Sequence, residues 1–183
     1  VIPSRFARCG NSAAAGADEP LFRFVQWNDT HTDVTEPHAY AMANEKVRYL
    51  VESLTAAVMF PVPDFVILCG DMIHGKDLPS LGPDLRLFKD LIAGVTCPVY
   101  PVVGNHEVVQ REGDPRFLAA YRQAFGDGRT NYTVRHRGLQ LIVLDNSGVP
   151  ASNGTDVGRR RNRWLADALA GSKGVPTILC CHI

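Results

Sequence analysis

Apolar and polar positions along this chain follow two periods in turn. Apolar runs at 21–27, 65–69, 98–103 and 177–181 have the length and the β-branched or aromatic content of buried strands. After the first run, Val47, Leu50, Val51, Leu54 and Val58 recur at helical spacing, which predicts an amphipathic helix over roughly 40–59, ended by Pro61-Val62-Pro63. A second helix is expected at about 84–93, with Pro83 near its start, Leu87, Phe88, Leu91 and Ile92 inward, and Gly94 as a stop. A third opens on the cap pair Asp114-Pro115, buries Phe117, Leu118, Tyr121 and Phe125, and ends at Gly126. Tyr132 to Arg137 and Leu139 to Leu144 then read as a hairpin joined at Arg137-Gly138. A fourth helix near 159–170 carries Trp164, Leu165 and Leu169 and stops at Gly171. The sum is α/β (α+β): a layered, mixed β-sheet core with helices on both faces.

Residues 1–20 mix Arg, Ser, Gly and Ala without periodicity and read as a leader, disordered or processed, before a single domain over 21–183. Ala13 to Ala17 resembles the small-residue end of a signal peptide, but no apolar segment precedes it. The compartment therefore stays open between cytoplasm and export.

Composition narrows the picture in three places. Lys+Arg 19 against Asp+Glu 19 leaves no global field to attract nucleic acid or an acidic membrane. No apolar run approaches the ~20 residues of a membrane span. Five cysteines, an odd number, argue against a disulfide framework, and none has the paired spacing of a zinc site. Cys180 and Cys181, neighbours on a strand, should point to opposite faces.

The chemistry gathers where the strands end. Each of the four apolar runs leads directly into residues able to hold a metal: Asn28-Asp29-Thr30-His31, Gly70-Asp71, Gly104-Asn105-His106-Glu107, and His182. Side chains placed after successive strands converge at one edge of a sheet, where open α/β sheets put their ligand sites. Singly, Asp29, Asp71 and Asn105 read equally well as turn residues. Together they supply the carboxylates, amide and imidazoles that two metal ions need to activate water and neutralise a phosphoryl group.

In that order, Asp-x-His, Gly-Asp, Gly-Asn-His-Glu and His resemble the signature of the calcineurin-like metallophosphoesterases. Leu144-Asp145 and the Trp164-Leu165 helix fit the same family. The resemblance implies a hydrolase acting on phosphate mono- or diesters through two divalent ions (Mn, Fe, Zn or Co), with a hydroxide between them as nucleophile and a small phosphate ester as substrate. It assigns Asp29 and His31 to the first metal, Asp71 to both, and Asn105 and His182 to the second. It makes His106 the general acid, with Glu107 orienting its imidazole and keeping it protonated. The family's closing Gly-His-x-His is absent from these residues, which implies a domain lacking its C-terminal part.

Asn28-Asp29-Thr30-His31 with Asn-His-Glu is similar to 5′-nucleotidases. The hairpin and Trp-Leu helix look more like the cyclic-nucleotide phosphodiesterase and general phosphoesterase group. The serine/threonine phosphatase branch lacks support, since its Gly after Asp-x-His and its Asp-Arg-Gly are missing. Two sequence candidates for substrate contact are His74, standing where purple acid phosphatases carry Tyr, and Arg159, within Arg159-Arg160-Arg161 and Arg163 at a helix start. Both read alternatively as solvated loop or helix-face residues, as do His38 and His136. Asp145 is either a support for the site or a strand-end turn. A non-catalytic relative that binds a partner on the same fold remains the alternative to an enzyme.

Overall fold

The computed structural model describes residues 21–35, 42–56 and 62–182. The leader at 1–20, Cys9 and His38 lie outside them. Strand β1 (Phe24–Trp27) is followed by helix α1 (Ala43–Thr55), β2 (Phe65–Cys69), α2 (Leu78–Leu91) and β3 (Val99–Val102). Then come α3 (Pro115–Phe125), the hairpin β4 (Tyr132–His136) and β5 (Leu139–Val143), α4 (Asp156–Gly171) and β6 (Thr177–Cys180). No helix among the described residues is long and apolar enough to cross a membrane.

The strands form two sheets rather than one. β1, β2 and β3 are parallel, in that order. β4 pairs antiparallel with β5, which pairs parallel with β6. The reason lies in β2, whose Phe65, Val66, Ile67 and Leu68 are all buried. A strand apolar on both faces needs cover on both. Phe65 and Ile67, with Val102 of β3, meet the second sheet, packing with Leu139, Leu141, Val143 and Cys180. Val66 and Leu68 meet the helices, in a core with Val47, Val51, Leu85, Phe88, Leu118 and Tyr121. One face of the first sheet thus carries α1, α2 and α3, and the other carries a sheet. Cys180 is buried and Cys181 exposed, as alternation along a strand requires.

α2 begins six residues before the expected start. Asp77 caps it, accepting from the Ser80 N–H at 2.9 Å, while Ser80 Oγ accepts from the Asp77 N–H at 3.2 Å. That reciprocal pair is the true start signal, and Pro83 falls inside the helix. α4 also starts early, at the Thr155 cap, and Leu169 is 48% exposed rather than packed.

The arginine-rich start of α4 is not a uniformly solvated face. Arg161 is buried and donates to Glu112 at 2.9 and 3.0 Å, to Ser152 Oγ and to Asn153 Oδ1. This pair joins α4, the segment before α3 and the segment after β5. His136 is likewise not simply solvated: its side chain, 22% exposed, lies 3.5 Å from Asp64 and edge-on to Phe22 and Phe65. Glu112→Ala would leave the Arg161 guanidinium buried without its carboxylate. A loss of about 3 kcal/mol in urea unfolding is expected, against less than about 0.5 kcal/mol for Arg160→Ala on the exposed side of the same helix.

Candidate metal centre

All four ligand-bearing segments leave the C-terminal ends of strands. Asn28 to His31 follow β1, Gly70-Asp71 follow β2, Gly104 to Glu107 follow β3, and His182 follows β6. Beyond the strands the first two segments continue as a pair. Asp29 N–H donates to the Gly70 carbonyl (3.2 Å), His31 N–H to Asp71 (3.0 Å) and Thr32 N–H to Met72 (3.0 Å). This pairing holds Asp29, His31 and Asp71 at positive φ (54°, 48° and 50°), a region that side-chain-bearing residues rarely occupy. Three such residues at one sheet edge make it a candidate functional site.

Asp71 is the hub. Its Oδ1 accepts the His106 N–H at 3.0 Å. Its Oδ2 lies 3.2 Å from His182 Nε2 and 3.8 Å from the Nε2 of both His31 and His106. Asp29 Oδ1 stands 3.8 Å from His31 Nε2 and 3.9 Å from His182 Nε2. Among the described residues, every ion-pair partner of these two carboxylates is an imidazole. Burial lowers the His31 pKa, although Asp71 and Asp29 push it the other way, and so favours the neutral ring that a metal requires.

Second contacts fix the rings. His182 Nδ1 lies 2.8 Å from the Cys69 carbonyl, and Asn146 Oδ1 accepts the His182 N–H at 3.0 Å. A carbonyl only accepts, so Nδ1 carries the proton and Nε2 presents its lone pair to the carboxylates. That Nε2 is buried and makes no hydrogen bond. A bare imidazole nitrogen aimed between two carboxylates, with the imidazoles of His31 and His106 also facing Asp71 Oδ2, is a donor set that suits a divalent transition metal. The residues fit two divalent ions. His106 Nδ1 makes a short contact with the His74 carbonyl, which by the same logic directs His106 Nε2 into the site.

Glu107 does not orient the His106 ring. It is fully buried, and its carboxylate accepts three backbone N–H groups: Gly104 at 2.7 Å, Asp71 at 2.9 Å and Ile73 at 3.2 Å. Burial, and then the Asp71 charge, push its pKa up to about 7 despite those donors. Its work is to hold the second and third loops together. Two glycines permit that approach: a Cβ on Gly104 would sit 2.4 Å from Asp71 Oδ1, and one on Gly70 2.3 Å from His182 Cγ.

The structure thus brings Asp29, His31, Asp71, His106 and His182 together, and Asn105 opens the short helical turn His106–Val108 beside them. His74 joins the cluster, its ring 5.6 Å from that of His106. Arg159 does not: it bonds Asp156 and the Gly154 carbonyl and is 60% exposed. Asp145 is a turn residue, accepting from Ser147 N–H and Oγ. Sequence reading missed Asn146, because nothing local distinguishes an Asn that reaches the backbone 36 residues away.

This two-sheet fold with a carboxylate–imidazole centre at its strand ends defines a metallophosphoesterase architecture. The sequence profile of calcineurin-like phosphoesterases matches residues 22–183, and the chain belongs to that family. Among solved structures, a dimetal phosphatase from Danio rerio aligns at TM-score 0.53 and 16% identity, over 81% of this chain and 52% of that one. A purple acid phosphatase from yellow lupin (Lupinus luteus) seeds aligns at TM-score 0.54 and 14% identity, over 79% and 27%. The chain therefore spans about half, or less, of the proteins it resembles in fold. No curated protein matches it in sequence.

Gly70→Ala should preserve most secondary structure yet displace His182, weakening binding of one divalent ion by at least about tenfold in calorimetric titration. Glu107→Gln sets an NH2 against backbone N–H donors. It should cost about 2 kcal/mol in urea unfolding, with the Asp71 loop losing amide-exchange protection first.

Proposed function

We propose that this chain forms the centre of a hydrolase that cleaves phosphate mono- or diesters with two divalent metal ions. The observation that carries this reading is Asp71 Oδ2, buried and faced by the Nε2 atoms of His31, His106 and His182 at 3.2 to 3.8 Å. A carboxylate in that position can be shared by two ions. Asp29 and His31 would complete one, and Asn105 and His182 the other. The bound ions supply activation of water and neutralisation of the phosphoryl oxygens.

The chain's own residues do the rest. Asp71 holds the His106 loop through the His106 N–H, so ligand and proton donor move as one body. The His74 carbonyl anchors His106 Nδ1, and a proton on Nε2 can then pass to the leaving oxygen. Glu107 keeps these loops in register without touching the reacting atoms. The phosphatase names of the two fold neighbours support the reaction class, and the choice between monoester and diester rests with assay.

The test compares three variants on an artificial phosphodiester and monoester with Mn²⁺, Fe²⁺, Zn²⁺ and Co²⁺. Asp71→Ala should abolish turnover and metal retention together. Asn105→Ala should lower metal occupancy. His106→Ala should reduce turnover about 10²–10⁴-fold with metal content near normal. Loss of metal in His106→Ala would remove it from the acid role, and unchanged metal content in Asp71→Ala would refute the centre itself.

A further inference from the structure

Two polar residues stand on helix faces that are otherwise apolar. The buried stripe of α1 runs through Asn44, Val47, Val51 and Leu54, and that of α2 through Leu81, Asp84, Leu85 and Phe88. Asn44 is 8% exposed and Asp84 is fully buried. An apolar side chain at either place would avoid the cost of burying a polar one. Both side chains are instead directed at one dipeptide, Asp33-Val34, which begins two residues after His31.

Asn44 clasps Asp33 at two points. Its Nδ2 donates to the Asp33 carbonyl at 3.0 Å, and its Oδ1 accepts the Asp33 N–H at 3.2 Å. Asp84 Oδ1 accepts the next N–H, that of Val34, at 3.0 Å. The buried Asp33 carboxylate pairs with Lys76 Nζ at 2.6 Å, which carries the restraint across to the loop after β2. His31 is thus held on both sides: its own N–H is bonded to the Asp71 carbonyl, and the chain just beyond it is fastened to α1 and α2. A residue at φ 48° needs such restraint, because side-chain-bearing residues rarely stay there. Satisfying buried backbone groups would account for one such contact. Three contacts from two helices, converging just past His31, fix a direction as well.

We propose that Asn44 and Asp84 are positioning residues of the metal centre, which together set the direction of His31 toward Asp29 and Asp71. The inference rests on the dinuclear reading above. Its consequence is reciprocal: a clasp that favours metal binding must itself be strengthened by bound metal.

The experiment titrates the protein, Asn44→Ala, Asp84→Ala, Asp84→Asn, Leu54→Ala and Asp71→Ala with Zn²⁺ by calorimetry. Asn44→Ala and Asp84→Ala should each lose at least about tenfold in affinity for one ion. Asp84→Asn keeps an oxygen for the Val34 N–H and should recover most of that loss. Leu54→Ala opens a cavity in the last turn of α1, away from the clasp, and should bind Zn²⁺ as the unaltered protein does. On the unaltered protein, where folding of a variant is not in question, Zn²⁺ should slow amide exchange at Asp33 and Val34. Unchanged exchange there, unchanged Zn²⁺ affinity in folded Asn44→Ala, or an equal loss in Leu54→Ala would overturn the proposal. If Asp71→Ala still abolishes metal binding in that case, the dinuclear reading survives without these positioning residues. If Asp71→Ala binds normally, both fail.

Discussion

The buried carboxylate of Glu107 gathers three backbone N–H groups from two different loops, and the geometry of the centre depends on it. Gly104 comes from the end of β3, while Asp71 and Ile73 come from the end of β2. Each of those donors is buried, and an unsatisfied buried N–H costs about 1–3 kcal/mol. One side chain thus replaces the water that would otherwise solvate two strand ends. It also stands directly behind Asp71, whose charge adds to burial in pushing the Glu107 pKa up to about 7. A cation held in front of Asp71, as proposed, would offset that charge and so favour the closed arrangement of the two loops.

A second constraint acts through the backbone. Asp29, His31 and Asp71 sit at positive φ because the loops after β1 and β2 keep exchanging hydrogen bonds past the end of the sheet. That pairing turns what would be free turns into a fixed frame. Gly70 and Gly104 let the frame close, since a side chain on either would collide with His182 or Asp71. Packing further away supports it: the Glu112–Arg161 pair ties the segment after the His106 turn to α4.

Much of this was legible in the sequence, for identifiable reasons. The strands stood out because β2 is buried on both faces and so reads as an unbroken apolar run. The carboxylate and imidazole cluster stood out because each contributing segment follows such a run directly. α3 was bounded correctly by Asp114 and Gly126, whose capping chemistry is local. What escaped depends on long-range contacts. The start of α2 was lost because Pro83 is a louder signal than the Asp77–Ser80 cap. The second sheet, the burial of Arg161 and the contact of Asn146 with His182 arise from partners distant in sequence. Glu107 was recognised as important, but its direction was not, because the motif specifies the residue and not which backbone groups it meets.

The family, the fold and the convergence of carboxylates and imidazoles are one connected account, and its centre is the claim that Asp71 joins two ions. Anomalous scattering from crystals of the protein grown with Zn²⁺ or Mn²⁺ tests that claim most directly. The account predicts two peaks flanking the Asp71 carboxylate, one beside Asp29 and His31 and the other beside Asn105 and His182. A single peak away from Asp71, or none at saturating metal, would contradict it.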